Sequence, residues 1–404
     1  MRMTEEKDQP IEVDTNEILK SVELNFEDDT PEAKEEVVEF AKPMPQHIKT
    51  NIDDTVAKEL YAEFSEFLED KVEMKQDSGV KQVMPTGIDL LDAILGGGFA
   101  IGALDIIVGQ PGSGKSMLAI QTLGQAQRQF SGELIGAYLD SEEATTSIRL
   151  SNLGVRFPRI TPYSDITVEK VFKFLEGLCL FKEKKKLTHI PSVIVWDSIA
   201  NTLSEKEREA DDVNQVIGYK ARMLSILIPK YVARCAQYNI SLIAVNQLRD
   251  VLNIGQFAAA KDLKFMSSSK DMPGGTVLKY NAFQLLEMKV KTQLKPEMYG
   301  FDGVINKVKC VKNKLFSPNI EVEIVGSFTT GFSNFWTNFN FLKETKRLKA
   351  GAWNTLITFP EKKFRTKDAE RDYNKEPVFK EKFDAATKEA IQTEIIEKYN
   401  PVIE

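Results

Sequence analysis

Residues 109–116 read GQPGSGKS: Gly109, Gln110, Pro111, Gly112, Ser113, Gly114, Lys115 and Ser116. The stretch fits G-x-x-x-x-G-K-[ST]. It follows the apolar run LDIIVG (104–109) and opens the helical run MLAIQTLGQAQRQF (117–130). Strand, glycine-rich turn and helix in that order predict a phosphate-binding loop. The glycines let backbone N–H groups turn inward on phosphates, and the helix N-terminus adds the positive end of its dipole. Lys115 is expected to hold the β- and γ-phosphates of a nucleotide, and Ser116 a Mg²⁺ ion. A chance glycine-rich turn is the rival reading, and the strand–turn–helix context argues against it. Gly96-Gly97-Gly98 lacks that frame and reads as a helix end and turn.

Outward from the loop, short apolar runs recur: LIGAYLD (134–140), SVIVWD (192–197) and SLIAVN (241–246), with helical stretches between them. That alternation predicts βαβ units and an α/β fold whose mostly parallel sheet is covered by helices on both faces. The runs NAFQLLEMKV (281–290), VINKVKCVKNK (304–314) and NIEVEIVGSF (319–328) alternate more and predict an antiparallel extension. In a doubly wound sheet the strand ends converge on one crevice. Asp197 closes one strand, where it can hold Mg²⁺ through water, and Asp140, Glu142 and Glu143 follow another. A carboxylate there can orient or deprotonate an attacking water. An Asp at a strand end is also an ordinary cap, but three nucleotide-type strand ends in one chain weigh against coincidence. SLIAVNQLRD (241–250) ends in Asn246, Gln247 and Arg249, ahead of a long stretch with no period and many Lys, Ser and Gly.

With only 2 histidines (His47, His189) and 3 scattered cysteines (Cys179, Cys235, Cys310), a His triad or a Cys/His metal centre is excluded. Isolated buried thiols are expected instead. No apolar run approaches a membrane span. No charged–apolar leader opens the chain, so a cytoplasmic location is expected, the host cytoplasm if the chain is phage-encoded. Residues 1–80 hold 23 acidic and 9 basic residues, a balance of −14. Against −7 for the whole chain, the other 324 residues carry +7, which permits a polyanionic partner. Residues 1–52 read as an acidic, disordered tail that would compete with nucleic acid for basic surface. Residues 53–82 read as a helix and linker. The helix places Val56, Leu60, Phe64, Phe67 and Leu68 on one face, which suits either a neighbouring subunit or the chain's own body. The core spans 83–330. From 331 to 404 a small α/β C-terminal domain is expected, where Phe332, Phe335, Trp336 and Phe339 read as a core face rather than a base-stacking stripe.

In order, MPTGIDLLDAILGGGFAIGALDIIVGQPGSGKS (84–116), AYLDSEEA (137–144), LSNLGV (150–155), VIVWDS (193–198), AVNQLR (244–249), MPGGTVLKY (272–280), VKCVKNKLFSP (308–318) and KAGAW (349–353) resemble the RecA recombinases, bacterial RecA and its phage relatives of the UvsX type. The likeness covers about residues 83–400. It implies a RecA-type ATPase that uses ATP and Mg²⁺, forms helical filaments on single-stranded DNA, and pairs that strand with a homologous duplex in recombination and repair. Single-strand-binding and loader proteins are implied partners, and no membrane is.

The resemblance selects Glu142 as general base and Gln247 as the sensor of the γ-phosphate. It makes Lys312 and Lys314 the pair that reaches nucleotide on the adjacent subunit. Read without it, KCVKNK is a strand with exposed lysines. It places a first DNA loop at 203–217, with Ile217, and Arg222 on the helix beyond it. A second DNA loop runs from Arg249 through Leu252 to Gly274, Gly275 and Thr276. Arg149 stands where the bacterial family covers adenine with an aromatic, and a guanidinium plane can stack too. The second loop is about ten residues longer than the bacterial one, and the acidic tail is N-terminal rather than C-terminal. Two alternatives share the core: a hexameric RecA-fold helicase or translocase, and a KaiC-like ATP-driven signalling switch. The Lys-Asn-Lys segment, KAGAW and the long Gly-Gly loop favour the recombinase.

Overall fold

The computed structural model describes residues 42–43, 82–131, 133–143, 145–156, 160–163, 165–211, 216, 218–250 and 270–399. The expected helix at 54–70, most of the acidic tail and the body of the second loop lie outside them, as do Ile217 and Leu252.

A small antiparallel sheet forms the entry: β1 (Lys42–Pro43), β2 (Gln82–Met84) and β3 (Phe99–Ala100). The helix Asp89–Leu95 between β2 and β3 ends at Gly96, as the sequence predicts, with the Gly97 N–H reaching back to the Asp92 carbonyl at 2.7 Å. The main sheet follows: β4 (Leu104–Gly109), β5 (Ile135–Asp140), β6 (Ile160–Tyr163), β7 (Ser192–Asp197) and β8 (Ile240–Gln247). A two-residue ladder, β9 (Arg249–Asp250) with β10 (Lys270–Asp271), closes the base of the second loop. Then come β11 (Gln284–Leu294), β12 (Gly303–Asn313), β13 (Ile320–Ser327) and β14 (Gly331–Ser333).

The nine-stranded sheet runs β14-β13-β12-β11-β4-β8-β7-β5-β6. From β11 to β6 all pairings are parallel, and from β11 to β14 all are antiparallel. The division follows the sequence pattern. Every residue of β4 and β7 is buried, as strands sandwiched between helices must be. β12 alternates buried with half-buried positions, as expected where one face is open.

Side-chain parity splits the core into two layers. Ile107, Val193, Val195 and Ile243 face the helix Lys115–Gln129, whereas Ile106, Val108, Ile194 and Leu242 face the helices Val168–Lys184 and Tyr219–Gln237. Thr167 caps the helix Val168–Lys184 by accepting from the Lys170 N–H at 3.2 Å, and lysines fill its last turn. The first layer continues without a break into the C-terminal segment. There Phe335, Trp336 and Phe339 are buried on the helix Asn334–Glu344, and Phe335 stacks on Phe383 at 5.1 Å. A three-stranded sheet, β15 (Leu348–Lys349), β16 (Asn354–Leu356) and β17 (Phe359–Phe364), completes the segment. The three thiols are buried and unpaired. Among the described residues no helix is long and apolar enough to cross a membrane.

Candidate active site

The phosphate loop leaves β4 at Gly109, where a Cβ would stand 2.5 Å from both the Met288 carbonyl oxygen and Ser113 Oγ. The loop then doubles back, with the Ser113 N–H donating to the Gln110 carbonyl at 3.2 Å. Gly112 and Gly114 take φ values of +74° and +77°, and a Cβ at Gly112 would meet no atom within 4 Å. Gly112 therefore borders open space at the tip of the loop. From beneath, the buried Asn306 of β12 donates Nδ2 to the Ser113 carbonyl at 2.8 Å. Lys115, only 7% exposed, donates its ammonium to the Gln110 carbonyl at 2.8 Å. Burial lowers its pKa, and the nearby Asp197 and Glu142 carboxylates oppose that shift.

Strand register brings the other predicted groups to the same end of the sheet. Gly109 pairs with Gln247, Asp197 with Val245, and Asp140 with Asp197. Burial pushes the Asp197 carboxyl up, while the Ser116 hydroxyl and the Tyr138 hydroxyl, donating at 2.9 Å, pull it back. Ser116 and Asp197 thus form a pair of hard oxygen donors beside the phosphate loop, a donor set that fits Mg²⁺.

The three acids after β5 part company. Asp140 accepts from the backbone N–H groups of Glu142 at 3.0 Å and Thr145 at 2.9 Å, one on each oxygen. Glu143 sits at φ +51° and accepts from the Asp165 N–H at 2.8 Å. Both are occupied in shaping the turn. Glu142 is exposed, and its Oε1 accepts from Asn201 Nδ2 and, at 3.4 Å, from Ser198 Oγ.

The two amides ending β8 also differ. Asn246 is fully buried; its Nδ2 donates to the Pro273 carbonyl at 2.7 Å, and its Oδ1 accepts from the Gln247 N–H at 3.0 Å. It pins the close of the second loop to the strand that ends beside the phosphate loop. The Arg249 backbone pairs with Asp271. Gly274 packs too closely for a side chain, since a Cβ would lie 2.6 Å from Leu278 Cδ1. Gly275 precedes the helix Thr276–Asn281. Arg222 is exposed near the start of the helix Tyr219–Gln237, whose Lys220 donates to the carbonyls of Ile199, Ala200 and Thr202.

The two predicted lysines of β12 stand apart. Lys312 pairs with Leu285, and Leu285 with Ile106, whereas Met288 and Val308 lie level with Gly109. Four residues of strand from Val308, roughly 13 Å, separate Lys312 from the level of its own phosphate loop. Its ammonium donates to the carbonyls of Lys279 at 2.9 Å and Tyr280 at 2.7 Å, and burial, then the neighbouring Lys314, lower its pKa. Lys314 is exposed, 5.5 Å from the Phe283 ring centroid. Arg149 Nη1 donates to the Phe328 carbonyl and, at 3.4 Å, to that of Thr329, so its guanidinium is tied to the turn between β13 and β14. Sequence reasoning missed Tyr138, Asn201, Asn246 as an anchor, and Asn306. Each is an amide or a hydroxyl whose partner lies on a distant element, and no local motif marks it.

The RecA N-terminal domain family matches residues 65–333. Among curated proteins, Protein RecA of Thermus thermophilus is 30% identical over 275 residues, 67% of this chain and 74% of that protein. Protein RecA of Leifsonia xyli is 29% identical over 278 residues, 68% and 71% respectively. The match spans the loop, the acids, the amides and the lysines whose geometry is given above, and the chain belongs to the RecA family of recombinases.

Proposed function

We propose that this recombinase is a DNA-dependent ATPase that assembles on single-stranded DNA as a helical filament. In that form it would pair the bound strand with a homologous duplex and exchange strands, in the cytoplasm, with single-strand-binding and loader proteins as assembly partners. The observation that carries this reading is the end of β8. Gln247 lies in register with Gly109 of the phosphate loop, while the adjacent Asn246 holds the closing Pro273 of the second loop. One strand end therefore touches both what ATP would change and what DNA would order, the arrangement that coupling between two sites requires.

In this reading Lys115 and the loop N–H groups hold the triphosphate, and Ser116 and Asp197 hold Mg²⁺. Mg²⁺, when bound, supplies positive charge against the phosphate oxygens. Glu142 takes a proton from the attacking water as its oxygen bonds to the terminal phosphorus, and the bond from that phosphorus to the bridging oxygen breaks. Lys312 and Lys314 are too far along β12 to serve their own loop, which supports their action on the nucleotide of a neighbouring subunit. Arg222, Arg249, Gly274, Gly275 and Thr276 lie on the two loop bases where a DNA backbone would pass. Such contacts suit binding that accepts any sequence.

Electron microscopy with a non-hydrolysable ATP analogue, with and without single-stranded DNA, tests the proposal. Open helical filaments that lengthen with DNA are expected. Closed rings would point instead to a translocase, and assembly indifferent to DNA to a signalling switch.

A further inference from the structure

Gln121 lies in the middle of the helix Lys115–Gln129, on its buried side, with 9% of its surface exposed. Its amide behaves as a short piece of backbone. Nε2 donates to the Phe332 carbonyl at 2.9 Å, and Oε1 accepts from the Phe332 N–H at 2.7 Å, across 211 residues of sequence. Phe332 is in the edge strand β14, whose other side pairs with β13, so Gln121 supplies the outer edge with the partner it would otherwise lack. The fit leaves no slack. Gly331 has φ +90°, and a Cβ there would stand 2.5 Å from Gln121 Oε1.

This clamp positions the turn 327–331. The turn's remaining ties are the Ser327 hydroxyl, which accepts from the N–H groups of Thr329 and Thr330, the Phe328 N–H donating to the Asp302 carbonyl, and Arg149 on the carbonyls of Phe328 and Thr329. Phe332, which follows the turn directly, abuts the phosphate loop, for a Cβ on Gly114 would lie 3.0 Å from Phe332 Cζ. Phe328, on this turn, is 49% exposed, and its backbone carbonyl is the acceptor for Arg149. An apolar ring and a guanidinium at the rim of a triphosphate cradle fit the flat base and ribose of a nucleotide.

We propose that Gln121 is a positioning residue for nucleotide binding: by clamping Phe332 it fixes the 327–331 turn, and with it the wall against which the base and ribose of ATP rest. It touches neither phosphate nor base. The inference rests on the ATPase reading above and adds to it one residue, Gln121, that acts on the nucleotide only through the strand and turn it clamps.

The test compares ATP with inorganic tripolyphosphate, which has phosphates and no nucleoside, in binding assays on the full chain. Gln121→Glu keeps the shape, but its ionised carboxylate cannot donate to the Phe332 carbonyl. Losing one or two buried hydrogen bonds at the clamp should weaken ATP binding and raise KM about tenfold, with kcat at saturation and tripolyphosphate affinity within about twofold of the parent. Gln121→Leu, which introduces no buried charge, should give the same split. Equal weakening of both ligands in the two variants would make Gln121 a support of the phosphate helix alone and overturn the proposal. So would unchanged ATP binding, or a parent protein that binds tripolyphosphate as tightly as ATP. A parent that binds neither ligand would instead remove the ATPase reading on which the proposal stands.

Discussion

At the C-terminal ends of β4, β5, β7 and β8, four polar groups gather around the phosphate loop: Lys115 and Asp197, both buried, Glu142, exposed, and Gln247. At the opposite ends, comparable groups are closed on the protein itself. Asp105 accepts from the Gln284 N–H at 3.1 Å, and burial pushes its carboxyl well above the usual range. Gln284 in turn donates to the carbonyls of Leu95 and Gly98. The buried Lys182 donates to the Ile190 carbonyl and to Ser192 Oγ at 2.9 Å, at the start of β7. One end of the sheet groups opposite charges, with Asp197 and Glu142 close enough to act on Lys115, and the other neutralises or satisfies single charges in place. Lys312 breaks the pattern. It belongs to the closed end by its bonds to the Lys279 and Tyr280 carbonyls, yet it is half-buried, beside an exposed lysine. A group so placed can contribute to hydrolysis only by reaching a nucleotide outside its own chain.

The largest expected effects test that exception. Glu142→Gln should retain ATP and DNA binding but turn over at least about 10²-fold more slowly, because it removes the proposed general base. Lys312→Ala should lose turnover comparably, since a cation facing transition-state charge contributes on a similar scale. Mixed together, the two inactive variants should recover part of the activity. Some interfaces then pair an intact Glu142 with an intact Lys312 from the neighbour. Absence of recovery in filaments shown to contain both chains would return Lys312 to the closed, structural end of the comparison.

A smaller effect is expected at the phosphate-loop end of β8. Gln247→Ala should still bind ATP, while the stimulation of hydrolysis by single-stranded DNA falls about tenfold, within the usual range of coupling between sites. Comparing rates with and without DNA gives the answer directly. Undiminished stimulation would mean that the link to the second loop runs through Asn246 and Pro273 alone.

The phosphate-loop end of the sheet was legible in the sequence because its chemistry is local. GQPGSGKS, VIVWDS and AVNQLR each carry strand, turn and side chain in one short string, and continuous apolar runs imply a parallel sheet. What was not legible depends on partners far along the chain. Asn246 and Gln247 are both amides at one strand end, and only the Pro273 carbonyl, 27 residues on, makes the first an anchor. Nothing in the sequence ties Arg149 to the Phe328 carbonyl, 179 residues later, which its guanidinium meets in the fold. Asp140, Glu142 and Glu143 are equivalent carboxylates in sequence, and backbone donors that no pattern predicts occupy the outer two. Hydrogen bonds to backbone carry no residue-type signature at the acceptor, so they stay invisible until the fold is known.

The closed end makes a prediction of its own, through stability rather than activity. Burial pushes Lys182 from 10.5 down to about 8. Between those two values the unfolded chain keeps the proton and the folded chain releases it, so stability should rise with pH across that window. The rise belongs to the relief of burying an ammonium, and at most it amounts to about 3 kcal/mol. Lys182→Met removes the titration. It also leaves the Ile190 carbonyl and Ser192 hydroxyl without this donor, a loss of about 1–3 kcal/mol that offsets the benefit at neutral pH. The informative quantity is therefore the slope. Urea unfolding from pH 7 to 10.5 should show the parent gaining on Lys182→Met above about pH 8. Parallel profiles would mean that the two hydrogen bonds keep the ammonium charged, and that this end of the sheet holds charge as well as the phosphate-loop end does.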